Sequence, residues 1–460
     1  MAQASLPTRR VAEWVAALRY DALPPRAREV ARHALLDTFG CGLYGYATPW
    51  ATMLLEWTRA GGERADATLW GDAAPSLRAS DAALVNGSSS HAFELDDYHN
   101  AKLHPGAVVV PAAVAMAEQT GADGRALLTA IVAGYEVMIR TSLALNPSAA
   151  RLRGWHLTGV CGPQGAAAAC AVLLGLDAER TAWALGLAGT QGGGLWAFNA
   201  DGSMSKRLHA GLAAQSGVMA AELAARGYTG PTQIYEYGDG GMLKAYSDAS
   251  DPAPLTHELG TVFHMIDTSI KPYSCCGSTH AYIDAALALR RRLGAPWDTA
   301  RPVRVGTSRV VDVQCGFDYT PGTALNAQMS LRYTVAAALL DGQVLPPQFA
   351  DARLADPALV DLAARLELVP DPALDDLYPA HFAGWVAARH GDAWERVDIL
   401  DPTGSTACPL DASGITAKLR GMNPELPTDA MAATALAIEA HDIRELLALA
   451  AAPSALRRTA

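Results

Sequence analysis

Apolar residues at Val11, Trp14, Val15 and Leu18 recur at the three-and-four spacing of an amphipathic helix. Leu23-Pro24-Pro25 breaks that run, and a second periodic segment climbs from Arg26 to about Phe39, which predicts an antiparallel helix pair. The same periodicity predicts helices over about Ser80 to Leu95, Ala107 to Gln119, Gly124 to Leu145, Gly165 to Leu174, Ala178 to Ala188 and Ser205 to Arg226. Ala and Leu dominate these segments. Small residues lose little side-chain entropy and let helices approach closely, so this half reads as a multi-helix core.

The pattern changes after about Lys271. Val303 to Val313 is rich in β-branched residues, Arg365 to Val369 is a short candidate strand, and Phe382 to Arg389 and Trp394 to Leu400 flank a turn at His390-Gly391-Asp392. These predict an antiparallel sheet, with helices at about Ser278 to Leu293, Gln328 to Leu340 and Pro357 to Leu362 between its strands. From about Ile415 the helical pattern returns and becomes Ala- and Leu-rich over Met431 to Ala451. The fold class expected is therefore mainly α. A large all-helical domain takes residues 1–270 and 405–460, and a smaller α+β domain with an antiparallel sheet takes 271–404.

Length and charge narrow the functions. A chain of 460 residues exceeds one typical compact core, which agrees with two domains. A net charge of -11 excludes a broad nucleic-acid surface, which needs an excess of Lys and Arg. A small anionic metabolite stays possible, because a few cations can focus on one site whatever the overall sign. Seven scattered cysteines are expected to be reduced thiols, and adjacent Cys275 and Cys276 have poor spacing for zinc or an unstrained disulfide. The start MAQASLPTRRVAEW has no uninterrupted apolar core of a signal peptide, so a cytoplasmic location is expected. The most apolar stretch, Gly165 to Leu176, is shorter than the ~20 residues of a membrane span. No membrane partner is expected.

Two segments concentrate chemistry: HAFELDDYHNAKLHPGAVVVPAA, with acids, histidines and a Pro-Gly turn, and DGSMSKRLHAGLAAQSGVMAAELAARG. In the second, Ser203 or Ser205 is placed to cap a helix whose free N–H groups and macrodipole attract anions, and Lys206 adds a point charge. That field also favours the neutral amine, so Lys206 can serve as acid or base as well as anchor. Gly192-Gly193-Gly194 fits no phosphate-loop pattern and reads as a turn or a close helix contact. Ser88, Ser89 and Ser90 before His91 lack a nucleophile elbow and read as a solvated loop or helix cap. His91, Asp96, Asp97, His99 and His104 are ordinary metal-ligand types without helical HxxxH spacing, so no metal is expected.

The stretches HAFELDDYHNAKLHPGAVVVPAAVAMAE, GADGRALLTAIVAGYEV, GWHLTGVCGPQGAAAA, DGSMSKRLHAGLAAQSGVMAAELAARGYTGP and KPYSCCGSTHAYIDAAL, in this order and spacing, resemble successive segments of the MmgE/PrpD family. That family includes 2-methylcitrate dehydratase, cis-aconitate decarboxylase and iminodisuccinate epimerase. The resemblance implies a helical domain, a smaller α+β lid and a homodimer. It places active-site positions at Asp96, Asp97, His104, His156, Lys206 and Tyr333, with Glu94, Tyr98, Arg207, Lys271, Cys276 and His280 as substrate contacts. It also implies a pocket between the domains that closure completes. Where relatives often have aspartate this chain has Glu94, and where the decarboxylases have threonine it has Tyr98, which puts decarboxylation in doubt.

The three family chemistries all develop negative charge on, or move a proton at, a carbon beside a carboxylate. Fixed cations and N–H dipoles can stabilise that charge without a cofactor. The expected roles give Lys206 the carboxylate clamp or acid/base, His104 and His156 the proton transfer, Tyr333 a proton relay, and Asp96 or Asp97 the orientation of a histidine. Each has a structural alternative: a solvated Lys206, a core His156, an interface Tyr333, helix-capping aspartates. The favoured function is a cofactor-independent hydro-lyase on 2-methylcitrate or a related polycarboxylate, with epimerase and decarboxylase activities as alternatives. A carboxylate-binding protein without turnover is the other class.

Overall fold

The computed structural model describes residues 6–451 except 63, 73, 75, 201 and 379. The chain ends of the predicted helical domain, and the Asp201 that opens the DGSMSKR segment, lie outside the described residues. The chain forms two compact units: Met1–Ala92, Asp96–Ser269 and Ala412–Ala460 make the first, Phe93–Leu95 and Ile270–Asp411 the second. Mainly helical structure with one small sheet agrees with the fold class expected.

The helices of the first unit begin with α1 Pro7–Ala17, α2 Pro25–Tyr46, α3 Pro49–Arg59, α4 Ala79–Ser90, α5 Gly106–Thr120, α6 Gly124–Ala144, α7 Pro147–Leu152, α8 Leu157–Leu173, α9 Ala178–Gly189 and α10 Ser205–Ala225. Proline opens α1, α2, α3 and α7, where its missing N–H costs nothing. Asp123 and Asp177 cap α6 and α9 through their side chains. At the centre α8 packs against both α6 and α10, and α10 packs against α4. By length and composition α6 could cross a membrane, but 89% of its most apolar window is buried inside the fold, so it reads as a core helix. The C-terminal helices Ala412–Met422, Thr428–Leu436 and Ile443–Ala450 belong to this unit, and Lys418 Nζ meets Asp37 of α2 at 2.5 Å.

Some boundaries differ from the pattern, for physical reasons. The predicted helix to Leu95 stops at Ser90, and residues 91–105 form an irregular loop before α5. Ser88, Ser89 and Ser90 are buried in the last turn of α4, which corrects the expectation of a solvated loop. Helix α8 starts eight residues before the predicted Gly165, despite Gly159, Gly162 and Pro163. Pro163 leaves the Gly159 carbonyl without its intrahelical donor, and the Gly193 N–H takes that place at 3.1 Å. A Cβ at Gly159 would lie 2.1 Å from the Gly193 oxygen, so the Gly-Gly-Gly run is a close contact to the start of α8.

The second unit holds the sheet, in the order β2-β1-β3-β4, from β1 Val303–Thr307, β2 Glu367–Pro370, β3 Gly384–His390 and β4 Ala393–Ile399. β3 and β4 form the hairpin expected around Gly391, and β1 pairs antiparallel with β3. β1 and β2 run parallel, so the sheet is mixed where an antiparallel one was expected. The run from Val303 to Val313 is strand only to Thr307. Ser308 accepts the Val311 N–H and starts the helix Arg309–Cys315, a local cap overriding β propensity. Helices His280–Leu293 and Leu331–Asp341 share a core with Val303, Val305, Val386 and Val397.

Candidate active site

Four stretches supply a cluster of buried and half-buried histidines: the end of α4, the 91–105 loop, the start of α8 and the first turns of α10. His91 follows the last residue of α4, His104 precedes the Pro105-Gly106 start of α5, His156 immediately precedes α8, and Lys206 and His209 stand one turn apart on α10. The loop is tightly braced. Tyr98 and Ser269 exchange backbone bonds at 2.9 and 2.8 Å, His99 N–H reaches Leu103 O at 2.9 Å, and His104 N–H reaches the Thr158 hydroxyl at 3.2 Å.

The neighbouring aspartates serve different ends. Asp96 Oδ2 lies 2.8 Å from His91 Nδ1 and 3.3 Å from His104 Nδ1, and is fully buried. Burial opposes ionisation, but His91 and His104 together outweigh it and hold this carboxyl well below the usual carboxylate range. Asp97 instead accepts the Gly106 N–H at 2.8 Å and the Tyr135 hydroxyl at 2.7 Å. Burial, only partly opposed by the Tyr135 bond, pushes Asp97 up to about 7. A Cβ at Gly106 would sit 2.4 Å from Thr38 Oγ1 and 2.8 Å from Asp97 Oδ1, so the Pro-Gly turn is what lets Asp97 cap α5. Asp96 is thus the histidine-orienting residue, and Asp97 takes the capping role.

His104 Nδ1 is 2.9 Å from the Asp97 carbonyl, which can only accept, so this nitrogen carries a proton and Nε2 is left for chemistry. His156 Nδ1 lies 3.0 Å from His209 Nδ1. His91 lies between the two groups, its ring 4.6 Å from His104 and stacked 6.1 Å from His156, centroid to centroid. Trp196 and Phe198 pack edge-on against His156 at 5.8 and 5.3 Å. Lys206 is 7% exposed, with Nζ 5.9 Å from the Phe198 ring centre. Burial first, then the charge of Lys206 and the nearby His91, His104 and His209, hold the His156 imidazolium well below its ordinary range. Burial, then His91 and Lys206, bring His209 down to about 4.

The serines expected to cap α10 do not: Met204 occupies the cap position, and Ser203 and Ser205 hydrogen-bond each other at 2.8 Å. The cation itself is buried, where a solvated lysine was the structural alternative. Arg207 is also buried; it donates to Ala92 O at 2.7 Å and stacks on Trp50 at 4.3 Å, so it braces α10 against the end of α4. Tyr98 is half-buried and held by its backbone pairing. His99 accepts the Ala101 N–H at 3.0 Å on Nδ1 and takes no part in the cluster contacts described above.

Glu94, Lys271, Cys276, His280 and Tyr333 belong to the second unit. Lys271 Nζ lies 3.3 Å from Glu94 Oε2 and donates to Glu94 O at 3.2 Å; both side chains are buried. Glu94 adopts a left-handed φ of 55°, so the glutamate occupies a backbone position that resists most side chains. A hydrogen bond with the Cys315 thiol, assisted by Ser278 and Lys271, outweighs burial and holds Cys276 down to about 6. His280 opens its helix and meets the Tyr273 ring at 5.3 Å. Tyr333 is fully buried against Tyr319 and Phe349, and its hydroxyl donates to the Gln348 carbonyl.

His91, Asp96 and His104 each bring one ligand-type atom within 4.8 Å of the others, the donor set of a cation site. In this structure the Nδ1 atoms and Asp96 Oδ2 are joined by the hydrogen bonds just described. Sequence reasoning missed His209 and the orienting partners Tyr135 and Thr158. The only local signal for His209 was its position three residues after Lys206, on the same helix face.

The family model for the MmgE/PrpD N-terminal domain matches residues 9–255, and that for the MmgE/PrpD C-terminal domain matches residues 273–441. The chain is 32% identical over 413 residues to a cis-aconitate decarboxylase-like protein oryM of Aspergillus oryzae, covering 82% of each chain. It is 31% identical over 380 residues to a cis-aconitate decarboxylase of Aspergillus terreus, covering 78% of this chain and 77% of the relative. A human cis-aconitate decarboxylase is 29% identical over 376 residues, with 78% and 77% covered.

Proposed function

The chain belongs to the MmgE/PrpD family and is an enzyme of its lyase type, and from that premise we propose that it decarboxylates a small polycarboxylate of the cis-aconitate kind. The observation that carries the proposal is the run of contacts from anionic Asp96 to His104 and His91 and from His91 to His156, with buried Lys206 acting on His156 through its charge. The names of the relatives favour decarboxylation over the dehydration of 2-methylcitrate that was expected first.

Losing carbon dioxide from such an acid breaks a carbon–carbon bond and leaves its electron pair on the substrate. In cis-aconitate that pair moves through the double bond to the carbon beside a remaining carboxylate, where a proton must be delivered. Lys206, in the first turn of α10, is suited to hold a carboxylate and disperse the charge. His104 and His156 are the proton carriers, oriented through their Nδ1 atoms so that Nε2 does the exchange. Neither an organic cofactor nor a metal is needed for these steps. Lys271, Cys276, His280, Glu94 and Tyr98 are assigned no step, nor is Tyr333, which is buried with its hydroxyl on the Gln348 carbonyl.

The test is incubation with cis-aconitate, 2-methylcitrate and iminodisuccinate while following carbon dioxide, water loss and inversion. Carbon dioxide from cis-aconitate is expected. Dehydration of 2-methylcitrate without carbon dioxide would replace this proposal by the hydro-lyase, and binding without product would leave a carboxylate-binding protein. A homodimer is the assembly proposed, supported by Leu212 and Met219, 43% and 40% exposed one heptad apart on α10. Light scattering showing a monomer would contradict it.

A further inference from the structure

His156 is buried, and one of its two exchangeable nitrogens is engaged by another histidine. The Nδ1 atoms of His156 and His209 lie 3.0 Å apart with ring centres at 5.2 Å. Two identical ring nitrogens at that distance can form a hydrogen bond only if one carries a proton and the other a lone pair. The pair therefore holds a single proton between its Nδ1 atoms and has two tautomeric arrangements. In one, His156 Nε2 carries a proton and can act as an acid. In the other it is bare and can act as a base.

His156 is closed in by Trp196 and Phe198, whereas His209 is only partly buried. We propose that His209 is a positioning residue that relays protons between water and His156, setting the nitrogen through which His156 meets the substrate. The relay rests on the decarboxylase reading above. His209 takes a proton from water at Nε2 and passes its Nδ1 proton to His156 Nδ1. His156 gives its Nε2 proton to the carbon left electron-rich by departing carbon dioxide. One proton is consumed per carbon dioxide released. After product leaves, water protonates His156 Nε2, His156 returns its Nδ1 proton to His209, and His209 sheds its Nε2 proton.

The surrounding charges suit a relay that is neutral between turnovers. Lys206, His91 and His104 face His156, and Lys206 and His91 face His209; all disfavour a lasting positive charge on either ring. The charge is then held only in passage. Among the described residues the His156 to His209 contact is histidine to histidine, in contrast with the Asp96 pair.

His209→Asn tests the relay, because an amide can keep a hydrogen bond to His156 Nδ1 but has no second ring nitrogen through which to pass a proton. The variant should bind propane-1,2,3-tricarboxylate, a saturated acid that cannot decarboxylate in the same way, within about threefold of wild type. Its kcat should fall about tenfold or more, and added imidazole should restore part of it while leaving wild type unchanged. An unchanged kcat, or a loss confined to KM, would overturn the relay. A second measurement needs no turnover: histidine 15N spectra of the wild type should show coupling between two Nδ1 nuclei across one shared proton. Rings that titrate independently without that coupling would overturn the proposal. If wild type decarboxylates none of the acids, the functional reading fails, and the 15N result alone decides the relay.

Discussion

Two histidine pairs occupy the first unit and are supplied with protons in opposite ways. His91 and His104 share the carboxylate of Asp96, an anion that keeps protons on their Nδ1 atoms. His156 and His209 meet each other beside an aromatic wall, a nearby cation and the His91 ring, and both imidazolium forms are disfavoured. The residue type is the same, so the partner decides the chemistry. A site that must both hold and release a proton gains from keeping its donors and acceptors under different fields.

The most damaging way to erase the difference is Asp96→Asn, which leaves an amide of the same shape but no negative charge between His91 and His104. Its kcat/KM is expected to fall by about 10²–10³ while the thermal melt stays cooperative, as steady-state kinetics and calorimetry would show. Lys206→Met acts on the other pair. It should lower kcat/KM by about tenfold or more and raise the His156 pKa, because the Lys206 charge now helps to hold it down. Histidine 15N titration would detect the rise.

Asp97, next to the anionic Asp96, is an acid that burial pushes the other way, up to about 7. Its folded pKa of about 7 lies above the unfolded value of 3.8, so its contribution is full below pH 3.8 and is lost as pH rises through about 7. Asp97→Asn should remove that downward slope, a change of no more than about 4 kcal/mol, measured as the variant-minus-wild-type difference in urea midpoints across pH. His156 and His209 tilt stability the other way. Their folded values lie below 6.5, so stability falls as pH drops through 6.5. Outside both pairs, Tyr333→Phe would leave the Gln348 carbonyl without this donor and should cost about 1–2 kcal/mol in the same assay.

The amphipathic helices, the hairpin at Gly391 and the chemistry of the acid-histidine segment could be seen in the sequence because each is specified by near neighbours. The start of α8 could not, because Gly159 and Pro163 are helix-breaking by local rules. What makes them tolerable is the Gly193 N–H and the close approach of residues far along the chain. The parallel pairing of β1 with β2 was hidden for a similar reason: register partners Val305 and Leu368 are joined only by the fold. At the site, Asp96 and His104 lie in one short segment and were legible together. His156 and His209 meet across 53 residues, and no spacing rule links the start of one helix to the second turn of another.

The central claim is that this cluster exchanges a carbon–carbon bond for a carbon–hydrogen bond, with the new hydrogen drawn from solvent through histidine. Turnover of cis-aconitate in D2O, followed by NMR and gas analysis, tests it most directly. The account predicts one deuterium fixed at a single carbon for each carbon dioxide released. Recovery of all the carbon in six-carbon acids, with water gained or lost and no carbon dioxide evolved, would contradict it.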